Sequence, residues 1–230
     1  MSKSILGLSG NQLKILAVIF MTVDHIGLHL FPGVSMFRII GRLAFPIFAF
    51  TFAEGCRYTK NRTRHFFVLC LFAVLCQAVY SYVTKSLYQN ILVTLALSAL
   101  AIYTFDFAKK TRNFLSYTLA IFVLVLIFGV CFILPSRIGY GFAIDYGFYG
   151  VMLPVLCYLG KTKQEKLFLL SMGLLILAPN FGTIQLFSLL SVPIIALYNG
   201  ARGKWRMKNF FYIYYPLHLV VIYFIGMFLK

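Results

Sequence analysis

The chain is poor in charge, and poorest in acid. Only 11% of its 230 residues are charged, five of them Asp or Glu against 21 Lys or Arg. A soluble domain carries roughly a quarter charged residues, so this composition excludes an ordinary soluble enzyme and a disordered chain. Cysteine is also scarce, five residues with no CxxC pair. Cys70, Cys76, Cys131 and Cys157 fall inside apolar blocks and Cys56 lies near the end of one. That pattern excludes a disulfide scaffold and reads as packing rather than metal ligation, so no metal is expected. No phosphate-loop spacing followed by Lys-Ser or Lys-Thr occurs. The dyad alternation of a membrane β-barrel is missing as well.

What is present is 61% hydrophobic residues, gathered in long apolar blocks separated by short basic stretches. Only helices satisfy their backbone polar groups within one such segment in lipid. The expected fold is therefore all-α, a polytopic helical membrane protein, with residues 1–230 forming a single domain. The first block holds Asp24 and His25 and has no small-residue cleavage site, which argues against a cleaved signal peptide. Nine spans are predicted: Leu13–Phe31, Phe37–Arg57, Phe66–Thr84, Ile91–Phe107, Phe114–Leu134, Phe142–Leu159, Glu165–Ala178, Phe181–Tyr198 and Asn209–Leu229. The seventh is short for a crossing. Pro32, Pro135 and Pro179-Asn180 are expected at outer turns, and Asn199-Gly200 at an inner one.

A net charge of +16 would suggest nucleic acid in a soluble protein, but no compact basic domain exists to bind it. The cations instead follow the topology. Taken on alternate sides of the nine spans, sixteen Lys and Arg collect on the N-terminal side and three on the other, with Arg38 and Arg42 inside the second span. This asymmetry places the N-terminus in the cytoplasm and the C-terminus outside.

Ionisable groups within spans mark function, because lipid exposure would cost several kcal/mol each. Asp24 is expected about 16 Å up the first helix, just past the midplane. Arg38 and Arg42, four apart, share one face of the second. His218 falls near the middle of the ninth. An outer-half cavity would gather Asp24, His25, Arg42, Asp145, Gln185 and His218. A separate cytoplasmic rim is strongly basic, densest in Arg57–Arg64 and Arg202–Lys208. Such a rim can hold a polyanionic cofactor, and a cavity with His and Asp can supply a general base and its orienting carboxylate. The blander reading makes Asp24 with Arg42 a helix-stapling ion pair, and His218 a partner for a carbonyl exposed by Pro216.

At these residues the chain resembles the TraX family, whose founding member is a pilin N-acetylase. The matching pieces are Val23-Asp24-His25-Ile26-Gly27, Gly41-Arg42-Leu43-Ala44-Phe45-Pro46-Ile47-Phe48-Ala49-Phe50 with Glu54-Gly55, and Asn90 with Thr94-Leu95. Further on come Asp145-Tyr146-Gly147, Tyr198-Asn199-Gly200 with Arg202-Gly203, and Phe211-Tyr212-Ile213-Tyr214-Tyr215-Pro216-Leu217-His218-Leu219. The resemblance implies a multi-pass acetyltransferase of the bacterial cytoplasmic membrane, taking acetyl from cytoplasmic acetyl-CoA to an outer acceptor. That acceptor would be a pilin-like protein or a surface glycan. In that scheme His25 is the general base, Asp24 or Asp145 orients a histidine, and His218 is a second base or a donor to the thioester oxygen. Arg42 would stabilise negative charge there or neutralise Asp24, while Arg57, Lys60, Arg62 and Arg64, with Arg202, would attract the CoA phosphates. The rivals are a proton-coupled permease and an assembly factor without turnover. The chain shows no internal repeat, which disfavours the permease.

Overall fold

A computed structural model describes residues 7–204 and 208–228. Lys3 and Arg206 of the charge asymmetry, and Leu229 and Lys230 at the end of the ninth predicted span, lie outside the described residues. No β-strand forms among the described residues; there are only isolated bridges, Leu8 with Tyr198 and Gln89 with Ile144.

The helices are α1 (Gly10–His29), α2 (Ser35–Gly41), α3 (Ala44–Tyr58), α4 (Arg62–Thr84), α5 (Ile91–Thr111), α6 (Phe114–Phe128) and α7 (Leu134–Ile138). They continue with α8 (Gly147–Leu159), α9 (Lys163–Leu177), α10 (Ser191–Ala196) and α11 (Lys208–Phe228). Polar residues at the turns fix where they start. Ser9 and Gln12 close a capping box on α1, while Asn61, Asn90, Asn113 and Thr162 each accept from a first-turn backbone N–H of the helix that follows.

The protein is an all-α membrane protein. Four helical stretches are long and apolar enough to cross a bilayer: Ser35–Tyr58, Arg62–Tyr82, Ile91–Thr111 and Phe114–Ile138. Gly147–Leu159, Thr183–Ala196 and Ile213–Phe228 are apolar but shorter. α1 is 20 residues long but is diluted by Lys14, Asp24, His25 and His29, so it is not among the four.

Three predicted spans differ in their interior. The second is broken between α2 and α3, where Arg42 N–H turns to the carbonyls of Arg38 and Ile39. The fifth runs on through a π-helical turn, Gly129–Ile133, into α7, so Pro135 opens a short helix instead of a turn. The π-type winding there carries the Leu134 N–H to the Gly129 carbonyl, and Pro135, at the start of α7, has no N–H to place. The eighth begins as a 3₁₀ helix, Thr183–Leu190, before becoming α10. Pro193 in α10 cannot donate to the Leu189 carbonyl, which removes one α-type bond at that junction.

The chain divides into two compact units, one formed by residues up to Thr51 and from Gly160, the other by Phe52–Leu159. In the first, α1 packs against α2 and α11, and α9 packs against the 3₁₀ helix and α10. Its core includes Leu13, Ile47, Phe50, Leu170, Leu174 and Ile195, all nearly or wholly inaccessible. In the second, α5 packs against α4, α6 and α8 around Ile102, Ile127 and Val151. Ser98 on α5 donates to the Val151 carbonyl of α8 at 2.8 Å. α4 and α6 turn Phe67, Val74, Leu115, Ile121 and Val125 outward, as lipid-facing surfaces do.

Candidate functional site

In the first unit, α1 and α2 meet at two glycines. A Cβ at Gly27 would overlap Phe37, and one at Gly41 would overlap the Asp24 carboxylate. This close approach, of the kind small residues permit between helices, sets Asp24 against both arginines of α2. Arg38 Nη1 lies 2.7 Å from Asp24 Oδ2, and Arg42 Nη2 donates to Asp24 Oδ1 at 3.0 Å. Arg42 further donates through Nη1 to Gln185 Oε1 at 3.1 Å and through Nε to the Arg38 carbonyl at 3.4 Å.

Next along α1, His25 meets α11. His25 Nδ1 and His218 Nε2 are 2.9 Å apart, with ring centroids 4.9 Å apart. His218 Nδ1 lies 2.9 Å from the Tyr214 carbonyl. A carbonyl only accepts, so His218 carries its proton on Nδ1. In the neutral pair His218 Nε2 is then the acceptor and His25 Nδ1 the donor, which leaves the lone pair of His25 on Nε2. The Tyr214 ring stacks on His218 at an interplanar angle of 7°. Its hydroxyl pairs with Thr22 Oγ1 at 2.7 Å. Because Thr22 already donates to the Val18 carbonyl, Tyr214 is the donor, tying α11 to α1 one turn before the histidines.

Several sequence expectations are thereby redrawn. Asp24, His25, Arg42, Gln185 and His218 all belong to this unit, but Asp24 orients the two arginines and no histidine bonds to it among the described contacts. The carbonyl that Pro216 releases in α11 is that of residue 212, whereas His218 bonds the one at 214. Asp145 belongs to the second unit, in the loop before α8. There Tyr88 donates to its carboxylate at 2.8 Å and Thr94 to its carbonyl at 2.7 Å. Burial, and then the Asp145 charge, push the Tyr88 hydroxyl's ionisation well up, so it remains a donor.

The basic rim is not uniform. In the second unit, Arg57 pairs with Glu54 at 3.7 Å and donates to the Tyr158 carbonyl, and Arg62 binds Asp106 at 2.6 Å. Tyr158 also donates to Asp106. Lys60 and Arg64 stand exposed. Arg62 and Thr63 edge a surface groove of about 200 Å³ floored by Phe66, Leu100 and Tyr103. In the first unit Arg202 is exposed, and its carbonyl accepts from the N–H of Asn11 at 2.9 Å. No cluster of His, Cys, Asp and Glu among the described residues is arranged to hold a metal.

Tyr214, Thr22 and Tyr88 are not foreseen from sequence. For Tyr214 a signal exists, since it stands four residues before His218 and so on the same helical face. Tyr88 has none, being one loop tyrosine among 15 in the chain.

A half-buried ion-pair cluster and a histidine pair set among apolar helices define a polytopic membrane protein with a polar interior. The chain belongs to the TraX protein family, whose profile it matches over residues 9–226. It is 33% identical over 156 residues to an uncharacterized protein of Rickettsia prowazekii, a match covering 67% of this chain and 57% of that protein. It thus spans little more than half the length of that relative. It is also 27% identical over 249 residues to a probable fimbrial assembly protein, FimC, of Dichelobacter nodosus, covering 96% of this chain and 97% of that one. No solved structure matches.

Proposed function

We propose that this protein is an acetyltransferase of the bacterial cytoplasmic membrane, with nine passes and a cytoplasmic N-terminus, moving acetyl from cytoplasmic acetyl-CoA to an outer acceptor. The observation that carries this reading is the His25–His218 pair, whose hydrogen bonds leave the lone pair of His25 on Nε2. In the reaction, His25 Nε2 takes the proton of an acceptor amine or hydroxyl as that atom attacks the thioester carbonyl. The C–S bond breaks, and the proton passes from His25 to the departing CoA thiolate. Orienting His25 falls to His218, in place of Asp24 or Asp145. Arg42, with donors on Asp24 and Gln185, neutralises Asp24 and fixes α2.

For the donor, Arg62 edges a groove with an apolar floor, and Lys60 and Arg64 stand exposed on the same basic segment, which suits a polyanion carrying an uncharged arm. Arg57 is occupied by Glu54 and Tyr158 and Arg62 by Asp106, which leaves both arginines a supporting role. The likeness to a fimbrial assembly protein makes a pilin-like amino terminus the first acceptor to try, and a surface glycan the second.

The test uses purified protein in detergent with radiolabelled acetyl-CoA. Transfer or slow hydrolysis should fall by about 10²–10⁴-fold in His25→Ala, the range for a lost general base, and by less in His218→Ala. A folded wild-type sample that binds no acetyl-CoA at millimolar concentration would overturn the reading and favour a proton-coupled permease.

A further inference from the structure

The polar cluster of the first unit has one positive charge too many. Arg38 and Arg42 share the single carboxylate of Asp24. The only other acid in this unit, Glu165, is exposed and accepts from the Lys161 N–H at the start of α9. Arg38 commits Nη1 alone, to the Asp24 carboxylate and carbonyl; its Nε and Nη2 have no hydrogen bond among the described residues. Nearby, α2 packs against the 3₁₀ helix. There the side chains of Gln185 and Ser188 are wholly buried, yet Gln185 Nε2 and Ser188 Oγ have no hydrogen-bond partner among the described residues. Three residues apart on a 3₁₀ helix, the two share one face. Gln185 is placed by its other end, since Oε1 accepts from Arg42.

Buried polar groups are nearly always paired, and an unpaired one calls for a reason. Both of these can donate, and Gln185 is bonded to Arg42, which shares the one Asp24 carboxylate with Arg38. We propose that Arg38, Gln185 and Ser188, on the frame set by Asp24 and Arg42, form an anion-binding subsite for an oxyanion, a phosphate or a carboxylate. Arg38 supplies the charge, and Gln185 Nε2 and Ser188 Oγ supply hydrogen bonds. Who carries the oxyanion rests on the acetyltransferase reading: Asp24 and His25 are adjacent on α1, so the subsite would anchor an acidic group of the acceptor near the base. An outer-leaflet phospholipid headgroup offers the same chemistry, because α2 begins at the outer side in the proposed topology.

The experiment measures thermal unfolding of lipid-depleted protein in a neutral detergent, with inorganic phosphate or acetate replacing chloride at constant ionic strength. The wild type should show saturable stabilisation. Arg38→Gln should weaken the apparent affinity at least tenfold. Ser188→Ala should weaken it several-fold while raising the anion-free melting temperature, since it removes an unpaired buried hydroxyl; this variant keeps the test decisive should Arg38→Gln misfold. Mass spectrometry of protein released from phosphatidylglycerol nanodiscs separates the sources. Phospholipid retained by the wild type and lost in Arg38→Gln assigns a headgroup, and anion binding without retained lipid assigns the acceptor. No saturable stabilisation, or equal stabilisation in wild type and both variants, overturns the subsite. Acetyl-CoA binding in the same samples reports on the acetyltransferase reading independently.

Discussion

Replacing Asp24 by Asn keeps the shape of the side chain and removes the charge that two guanidinium groups share. Its side chain is 17% exposed, and those of Arg42 and Arg38 are 13% and 27% exposed, so water can do little to compensate. At an effective dielectric near 20, a charge pair about 4 Å apart interacts by about 4 kcal/mol. Removing one partner of a buried pair costs about 3–5 kcal/mol, because the charge left behind is uncompensated. Asp24→Asn should therefore destabilise by about that amount. Arg38→Gln should cost less, about 0.2–1 kcal/mol, since it is the more exposed arginine and Arg42 still satisfies the carboxylate. The double variant decides the matter. Removing Arg38 from an Asp24→Asn background takes away a repulsion, so it should recover at least about 1 kcal/mol instead of adding a loss. Unfolding in mixed dodecyl maltoside and SDS micelles, followed by circular dichroism, measures all three. Additive losses, or an Asp24→Asn variant within about 1 kcal/mol of wild type, would refute the shared-carboxylate account.

Two further substitutions probe how the polar elements are held. Gly41→Ala puts a Cβ into the Asp24 carboxylate, so it should destabilise by about 1–3 kcal/mol, the usual cost of overpacking; the same assay reads it, and an unchanged midpoint would mean that α1 and α2 separate easily. Tyr88→Phe removes a donor from the Asp145 carboxylate and should cost about 1.5–3 kcal/mol, as for hydrogen bonds to charged groups, with Thr94→Val additive to it only if the two bonds to residue 145 act independently.

The apolar blocks in the sequence located the long helices to within about five residues, because the lipid solvent imposes long apolar segments, but they placed a turn where α7 forms. Breaks inside those blocks were not legible. The α2–α3 interruption at Arg42 and the 3₁₀ turn ahead of Pro193 arise from local hydrogen bonding that hydropathy does not register. For the site, helical spacing correctly put Arg38 and Arg42 on one face, and depth correctly brought Asp24 and Arg42 together. Partner choice was beyond reach: two arginines compete for one carboxylate, and that competition takes Asp24 away from His25. His25 and His218 were both singled out, but their direct bond depends on how α11 turns against α1, which no local pattern encodes.

The 3₁₀ start of the eighth segment also changes what 14 residues can reach. A 3₁₀ helix rises about 2.0 Å per residue against 1.5 Å for an α-helix, so Thr183–Ala196 extends about 25 Å instead of about 21 Å. A segment too short to cross a 30 Å hydrocarbon layer as an α-helix is stretched most of the way by its winding. The tighter coil that lines up Gln185 and Ser188 thus also gives the segment added length.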